Sequence, residues 1–320
     1  MLLELARTLR FRTALRFGIV VSYGLLLIMV GCAKRAGNFD LNAYRTEIEK
    51  WKEPRLTGLT RDDGWLTLCG FFWLKEGENR FGTDSSNQII FPIGKAPKVA
   101  GSLWLENGVV QVKVQKGAKV TSNGQPVTSM VLLSDEDGLK DPTVLNIGTL
   151  SFYLIKRGGQ LAVRVKDKEN PPRVNFRGLE YFPVDPKWRV EATYEPYNPP
   201  KMLQIATMIN TVESDSCPGA LAFELDGKTY RLDVIIERGT ESNLFIMFED
   251  STNGKETYSL GRQLYTEMPD ANGEVILDFN KAYNWPCVFT EFATCPIPPK
   301  QNHLPFRVEA GEKMYGGRQH

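Results

Sequence analysis

Three carboxylates in the last third of the chain, Asp250, Glu256 and Asp278, sit beside the ends of strand-like runs, with Arg262 placed to pair with one of them. Carboxylates in such places do general acid–base work when burial or a neighbouring charge moves their pKa, and the Tyr283 hydroxyl would extend the set. The same residues serve equally well as turn caps and a structural ion pair, since Asp and Asn bond their own turn backbone. Around them, Thr252, Tyr258, Asn280, Asn284, Cys287, Thr290, Cys295 and Glu309 offer further polar groups to a ligand. Tyr283, Trp285, Phe289 and Phe292 supply aromatic walls for a small-molecule pocket, or simply core. Pro286, Pro296, Pro298 and Pro299 stiffen this stretch, and rigid irregular segments beside strand ends are where sites are built. The stretch from Asp278 to Cys295 is expected to pack on Asp250–Arg262. That packing would put Asp250, Glu256 or Arg262 in side-chain contact with Asp278, Asn280 or Tyr283. Cys287 and Cys295 are expected near each other, where a disulfide is sterically feasible.

Several chemistries lack their residues. His303 and His320 are the only histidines, so a zinc site of standard spacing and a Ser–His triad have little to draw on. Asp250-Ser251-Thr252-Asn253-Gly254 resembles a calcium loop only loosely, without the closing Glu. No phosphate-binding or dinucleotide glycine fingerprint occurs. No cofactor and no metal are expected.

These residues must be held by strands. Residues 41–56 carry Leu41, Tyr44, Ile48 and Trp51 at helical spacing, the one sizeable helix expected, with Pro54 near its end. Beyond it, Asn107-Gly108, Asn123-Gly124, Gly158-Gly159 and Asp226-Gly227 each lie between strand-like runs, the strongest short-range hairpin signal. Leu244–Phe248 and Val275–Phe279 read as buried strands. The pattern predicts a mainly β fold of two packed sandwich- or barrel-like halves with one N-terminal helix. The first half covers 57–166. A Pro-rich connection, 167–200, leads to a second half, 201–320, that carries the polar residues above.

The start of the chain is of another kind. Arg7, Arg10, Arg12 and Arg16 precede an apolar run from Phe17 to Val30, closed by Gly31-Cys32. A basic front, a short apolar run and a small residue before a cysteine describe a cleavable signal, 1–31. The ending resembles the lipobox of bacterial lipoproteins, which implies acylation of Cys32 and a lipidated tether, 32–40. Without residues 1–31 the chain holds 35 basic and 37 acidic residues, a net charge of −2, so no basic field is left to attract nucleic acid. The expected setting is the exported side of a bacterial envelope membrane, with the bilayer as partner through Cys32.

Two family resemblances add to this. Glu76-Gly77-Glu78-Asn79-Arg80-Phe81-Gly82-Thr83-Asp84, Val120-Thr121-Ser122-Asn123-Gly124 and Leu145-Asn146-Ile147-Gly148 resemble landmarks of the forkhead-associated sandwich. Thr83 stands where that family has its phosphate-binding Arg, and no His precedes residue 303, so phosphopeptide binding is not expected. Gly64-Trp65-Leu66-Thr67-Leu68, Phe72–Gly77, Phe248–Tyr258 and Asp278–Cys287, continuing to Glu309–Glu312, resemble the domain of unknown function 1684 family. The likeness extends over most of 50–315, with Asn284-Trp285-Pro286-Cys287 for the family's Asn-Pro-Pro-Cys. It implies a fold and a shared site but no activity. The expected role is a lipid-anchored ligand-binding or structural module of the envelope; the alternative is an exported hydrolase working through the carboxylate, Arg and Tyr residues of the C-terminal half.

Overall fold

Four turns place eight of the strands. In a computed structural model of the chain, which describes residues 39–136, 141–236 and 242–316, Asn107-Gly108, Asn123-Gly124, Gly158-Gly159 and Asp226-Gly227 all have positive φ at both positions. That is the backbone of a type I′ hairpin, whose twist matches that of the flanking strands and which Asn, Asp and Gly enter at least cost. The expected signal, Cys32 and the tether through residue 38 lie outside the described residues.

The first half opens with helix α1 (Leu41–Thr60). Tyr44 and Ile48 of the expected stripe are buried. The helix runs past residue 56 because Pro54 lies on its exposed side, where the carbonyl left without an amide partner meets water. Strands β1 (Leu68–Trp73), β2 (Gly77–Gly82), β3 (Ile89–Ile90), β4 (Gly101–Glu106), β5 (Val109–Val114) and β6 (Thr121–Ser122) follow. After them come β7 (Gln125–Pro126), β8 (Ser129–Leu132), β9 (Leu145–Ile147), β10 (Leu150–Arg157) and β11 (Gln160–Asp167). They make a six-stranded sheet, β1-β11-β10-β9-β6-β7, and a five-stranded sheet, β3-β2-β4-β5-β8. Phe81, Leu103 and Val112 from one and Phe152, Val163 and Val165 from the other fill a single core, so the two sheets are the layers of a sandwich.

The second half consists of β12 (Arg189–Ala206), β13 (Val212–Leu225), β14 (Lys228–Val234), β15 (Asn243–Phe248), β16 (Arg262–Glu267), β17 (Glu274–Asp278) and β18 (Tyr283–Asn284). The orders are β14-β13-β12-β17 and β15-β16-β18, and the two sheets meet through a bridge between Ile235 and Phe245. Leu221, Phe223, Leu232, Ile246, Leu264 and Phe279 share their core. The segment expected as a connection is strand from Arg189 on. Its register against β13 breaks between Pro196 and Lys201, where prolines that cannot donate to a ladder are tolerated. A third cluster joins Leu59, Leu66 and Leu68 to Phe245, Trp285, Phe289 and Cys295, and so welds helix, first sandwich and second half into one compact unit from Leu41 on. Among the described residues no helix is long and apolar enough to cross a membrane.

Candidate functional site

Asp250 and Arg262 pair as the sequence suggested, and the pair is sealed inside the protein. Both side chains are fully buried, with Arg262 Nη2 2.8 Å from Asp250 Oδ2. Nη2 also donates to the Val308 carbonyl (2.8 Å) and Nη1 to that of Ala310, while Nε has no hydrogen-bond partner. The other Asp250 oxygen accepts from the amides of Thr252 (2.8 Å) and Val308 (3.1 Å). Every contact joins chain to chain, so this is a clamp on the C-terminal segment. Gly311 belongs to the same clamp: its φ is positive, and an added Cβ would run into the Ala282 carbonyl. Next to it Glu312, also buried, holds Arg55 of α1 at 2.9 Å and the Asn284 amide at 2.8 Å, while Arg55 reaches the Asn284 carbonyl.

Asp278 does not join that pair. It accepts from the Tyr44 hydroxyl at 2.8 Å and from the Asn280 amide at 3.0 Å. Burial pushes its carboxyl up, against the hydrogen bonds from Tyr44 and Asn280. Asn280 in turn bonds Tyr44 and the Asp185 carbonyl. The expected single site of Asp250, Arg262, Asp278 and Asn280 is thus two separate knots. The segments do meet, as backbone neighbours at Arg262 and Asn284, but each buried charge is consumed by its own local network. Glu256 and Glu309 lie at the surface around Arg307, which holds Glu256 well below the usual carboxylate range. Thr252 bonds Thr257, and Thr290 the Leu68 carbonyl.

Cys287 and Cys295 lie near each other, as expected, and both are free thiols. The Cys287 amide donates to Cys295 Sγ at 3.3 Å. Burial pushes the Cys295 thiol well up. For Cys287 the same burial is outweighed by hydrogen bonds from Cys295, Tyr258 and two backbone amides, and the net shift is downward. Among the described residues no group of three metal-ligating side chains forms around them or elsewhere.

The open space lies to one side of these knots. A cavity of about 720 Å³ separates the two halves, walled by Trp65, Phe245, Tyr265, Tyr283 and Trp285, with Thr294 and Cys295 at its edge. Of the residues singled out in the sequence, Tyr283, Trp285, Pro286, Cys295 and Pro296 reach it, and Phe289 and Phe292 do not line it. Three ionisable groups that sequence reasoning passed over are the most telling. Arg164 of β11 is 5% exposed, lies over the Trp65 ring at 5.2 Å and donates to Thr294 Oγ1 at 3.3 Å. Its Nε has no partner, and no carboxylate among the described residues pairs with it. Glu213 and Asp215 stand on the inward side of β13, half-buried and, among the described residues, without an ion-pair partner. Burial pushes the Asp215 carboxyl up. Burial also raises Glu213, opposed by Arg157 and reinforced by Asp215, Glu136 and Asp135. The available clue was a cation inside the apolar run Ala162-Val163-Arg164-Val165, where a strand covered on both faces has no solvent to offer it.

Comparison with known proteins locates the family. Residues 174–313 match the model described as Protein of unknown function (DUF1684). The second half of the chain belongs to this family. The matched stretch is narrower than the 50–315 suggested by the motifs. An uncharacterised protein of Haloarcula marismortui, solved in solution by NMR, is 36% identical; the match covers 44% of this chain and 78% of that one, at a TM-score of 0.37. The FhaA FHA domain, solved in complex with an intracellular domain, is 18% identical over 30% of this chain and 86% of its own, at a TM-score of 0.21. A further forkhead-associated domain, studied for phosphothreonine-dependent interactions, covers 29% of this chain at 18% identity and a TM-score of 0.20. No curated protein matches. The DUF1684 segment supplies Glu213, Asp215, Phe245, Tyr265, Trp285 and Thr294 to the cavity, whereas Trp65, Arg157 and Arg164 come from the part of the chain before it.

Proposed function

We propose that the chain is an exported, lipid-anchored binding module of the bacterial envelope, and that its ligand site is the cavity between the two halves. The observation that carries the reading is Arg164. A buried guanidinium costs several kcal/mol unless a counter-charge or full hydrogen bonding compensates it. Arg164 has a ring beneath it and one hydroxyl, and its missing partner is best supplied by an anionic group on a ligand. The cavity volume is within the range that encloses a drug-sized molecule, and its aromatic walls set among charged groups fit a polar small-molecule ligand. The hydrolase alternative is disfavoured by the fate of its residues. Asp250 and Arg262 are locked together, Asp278 is capped by Tyr44, and Glu256 is tied to Arg307 at the surface.

A thermal-shift screen of small anionic metabolites against the mature protein tests this. A ligand at a hundred times its Kd stabilises by about 2.7 kcal/mol. Hits should vanish in folded Arg164→Gln and Trp65→Ala variants, and mass spectrometry should recover the ligand unchanged. Hits insensitive to Arg164, conversion of the ligand, or no hit at all would each overturn the reading.

A further inference from the structure

The cavity is lined by opposite charges, and among the described residues none of Arg164, Glu213 and Asp215 has an ion-pair partner. Arg164, with Trp65 and Thr294, marks a cationic end. Glu213 and Asp215 mark an acidic one. Among the described residues neither carboxylate is ion-paired with Arg164, and Arg157, the cation that acts on Glu213, is already committed to Asp135 at 2.8 Å. A purely anionic ligand that filled the cavity would meet the two carboxylates. A neutral one would leave all three ionic groups desolvated and unpaired, the costliest outcome for buried charge. A ligand with an anion at one end and a cation at the other satisfies both.

We propose that the cavity binds a zwitterion of the amino-acid kind, a short peptide with free termini, its carboxylate on Arg164 and its ammonium between Glu213 and Asp215. Arg164 suits a carboxylate because its planar fork presents parallel donors, and stacking on Trp65 fixes that plane in advance. Glu213 and Asp215 are two residues apart on one strand, so both project to the same face and can share the protons of one ammonium. Phe245, Tyr265 and Trp285 give the body of the ligand an apolar surface. About 720 Å³ is more than a single small amino acid fills, which favours a peptide.

This rests on the cavity being the ligand site, and the two ideas fail differently. The test is calorimetric titration of the full mature protein with the dipeptide Ala-Phe, with N-acetyl-Ala-Phe, and with Ala-Phe amide. Ala-Phe should bind, and blocking either terminus should weaken it at least tenfold. Arg164→Gln should abolish the penalty for the amide and keep that for the acetyl group; Asp215→Asn should do the reverse, each variant being checked for an unchanged fold by circular dichroism. Equal binding of Ala-Phe and N-acetyl-Ala-Phe, lost in Arg164→Gln, would overturn the zwitterion while leaving an anion site. Absence of binding by all three peptides would also overturn it, and a metabolite hit that depends on Arg164 would then uphold the site alone.

Discussion

Replacing Arg262 by Met keeps most of the side-chain volume and removes one buried cation. Asp250 is then left as an ionised carboxylate with no exposure, supported only by two amides, and the carbonyls of Val308 and Ala310 lose their donor. Removing one partner of a buried pair costs about 3–5 kcal/mol. Against a typical stability of about 5–15 kcal/mol, that is roughly a fifth or more of the whole. At roughly 2–4 °C per kcal/mol for a body of this size, Tm should fall by about 6–20 °C. Urea unfolding followed by tryptophan fluorescence should show a lower midpoint with the slope unchanged. The reasoning also fixes the double variant. Asp250→Leu combined with Arg262→Met removes the stranded charge, so its cost should be well below the sum of the single costs. A loss under about 1 kcal/mol for Arg262→Met, or additivity in the cycle, would refute the clamp.

Two further outcomes are expected. Glu213 has a raised pKa in the folded chain, so its contribution to stability is present below the unfolded value of about 4.3 and is lost as pH rises through the folded one. Glu213→Gln should therefore be more stable than the wild type at neutral pH and no more stable near pH ~4; a gap that does not change with pH in urea titrations contradicts the shift. Cys32→Ala should leave the precursor uncut and unlabelled by a fatty-acid probe, and equal labelling of both proteins would dispose of the lipid anchor.

What was legible in the sequence was local. An Asn-Gly, Asp-Gly or Gly-Gly between apolar runs specifies its own backbone, and all four such turns are hairpins. The fully apolar run Leu244–Phe248 is a strand buried along its length. β12 and the first part of β13 escaped notice because the pattern there is inverted: Val212, Ser214 and Ser216 face solvent while Glu213, Asp215 and Cys217 face inward. A strand that lines a polar cavity has no apolar alternation to read, and the prolines of β12 mimic a linker. The site was hidden for the same reason. Asp250 and Arg262 were visible as a pair, but whether a charge is buried among carbonyls or open to a ligand depends on chain that packs from elsewhere. Thr294 beside Arg164, 130 residues away, is one such contact.

The docking of α1 has a consequence for how the chain is assembled. Tyr44 is held by Asp278 and Arg55 by Glu312, partners 234 and 257 residues further on. α1 is therefore made long before the residues that bind Tyr44 and Arg55. Contacts this distant in sequence close late and slowly. A chain delivered N-terminus first holds α1 without these two polar anchors until residue 312 has emerged.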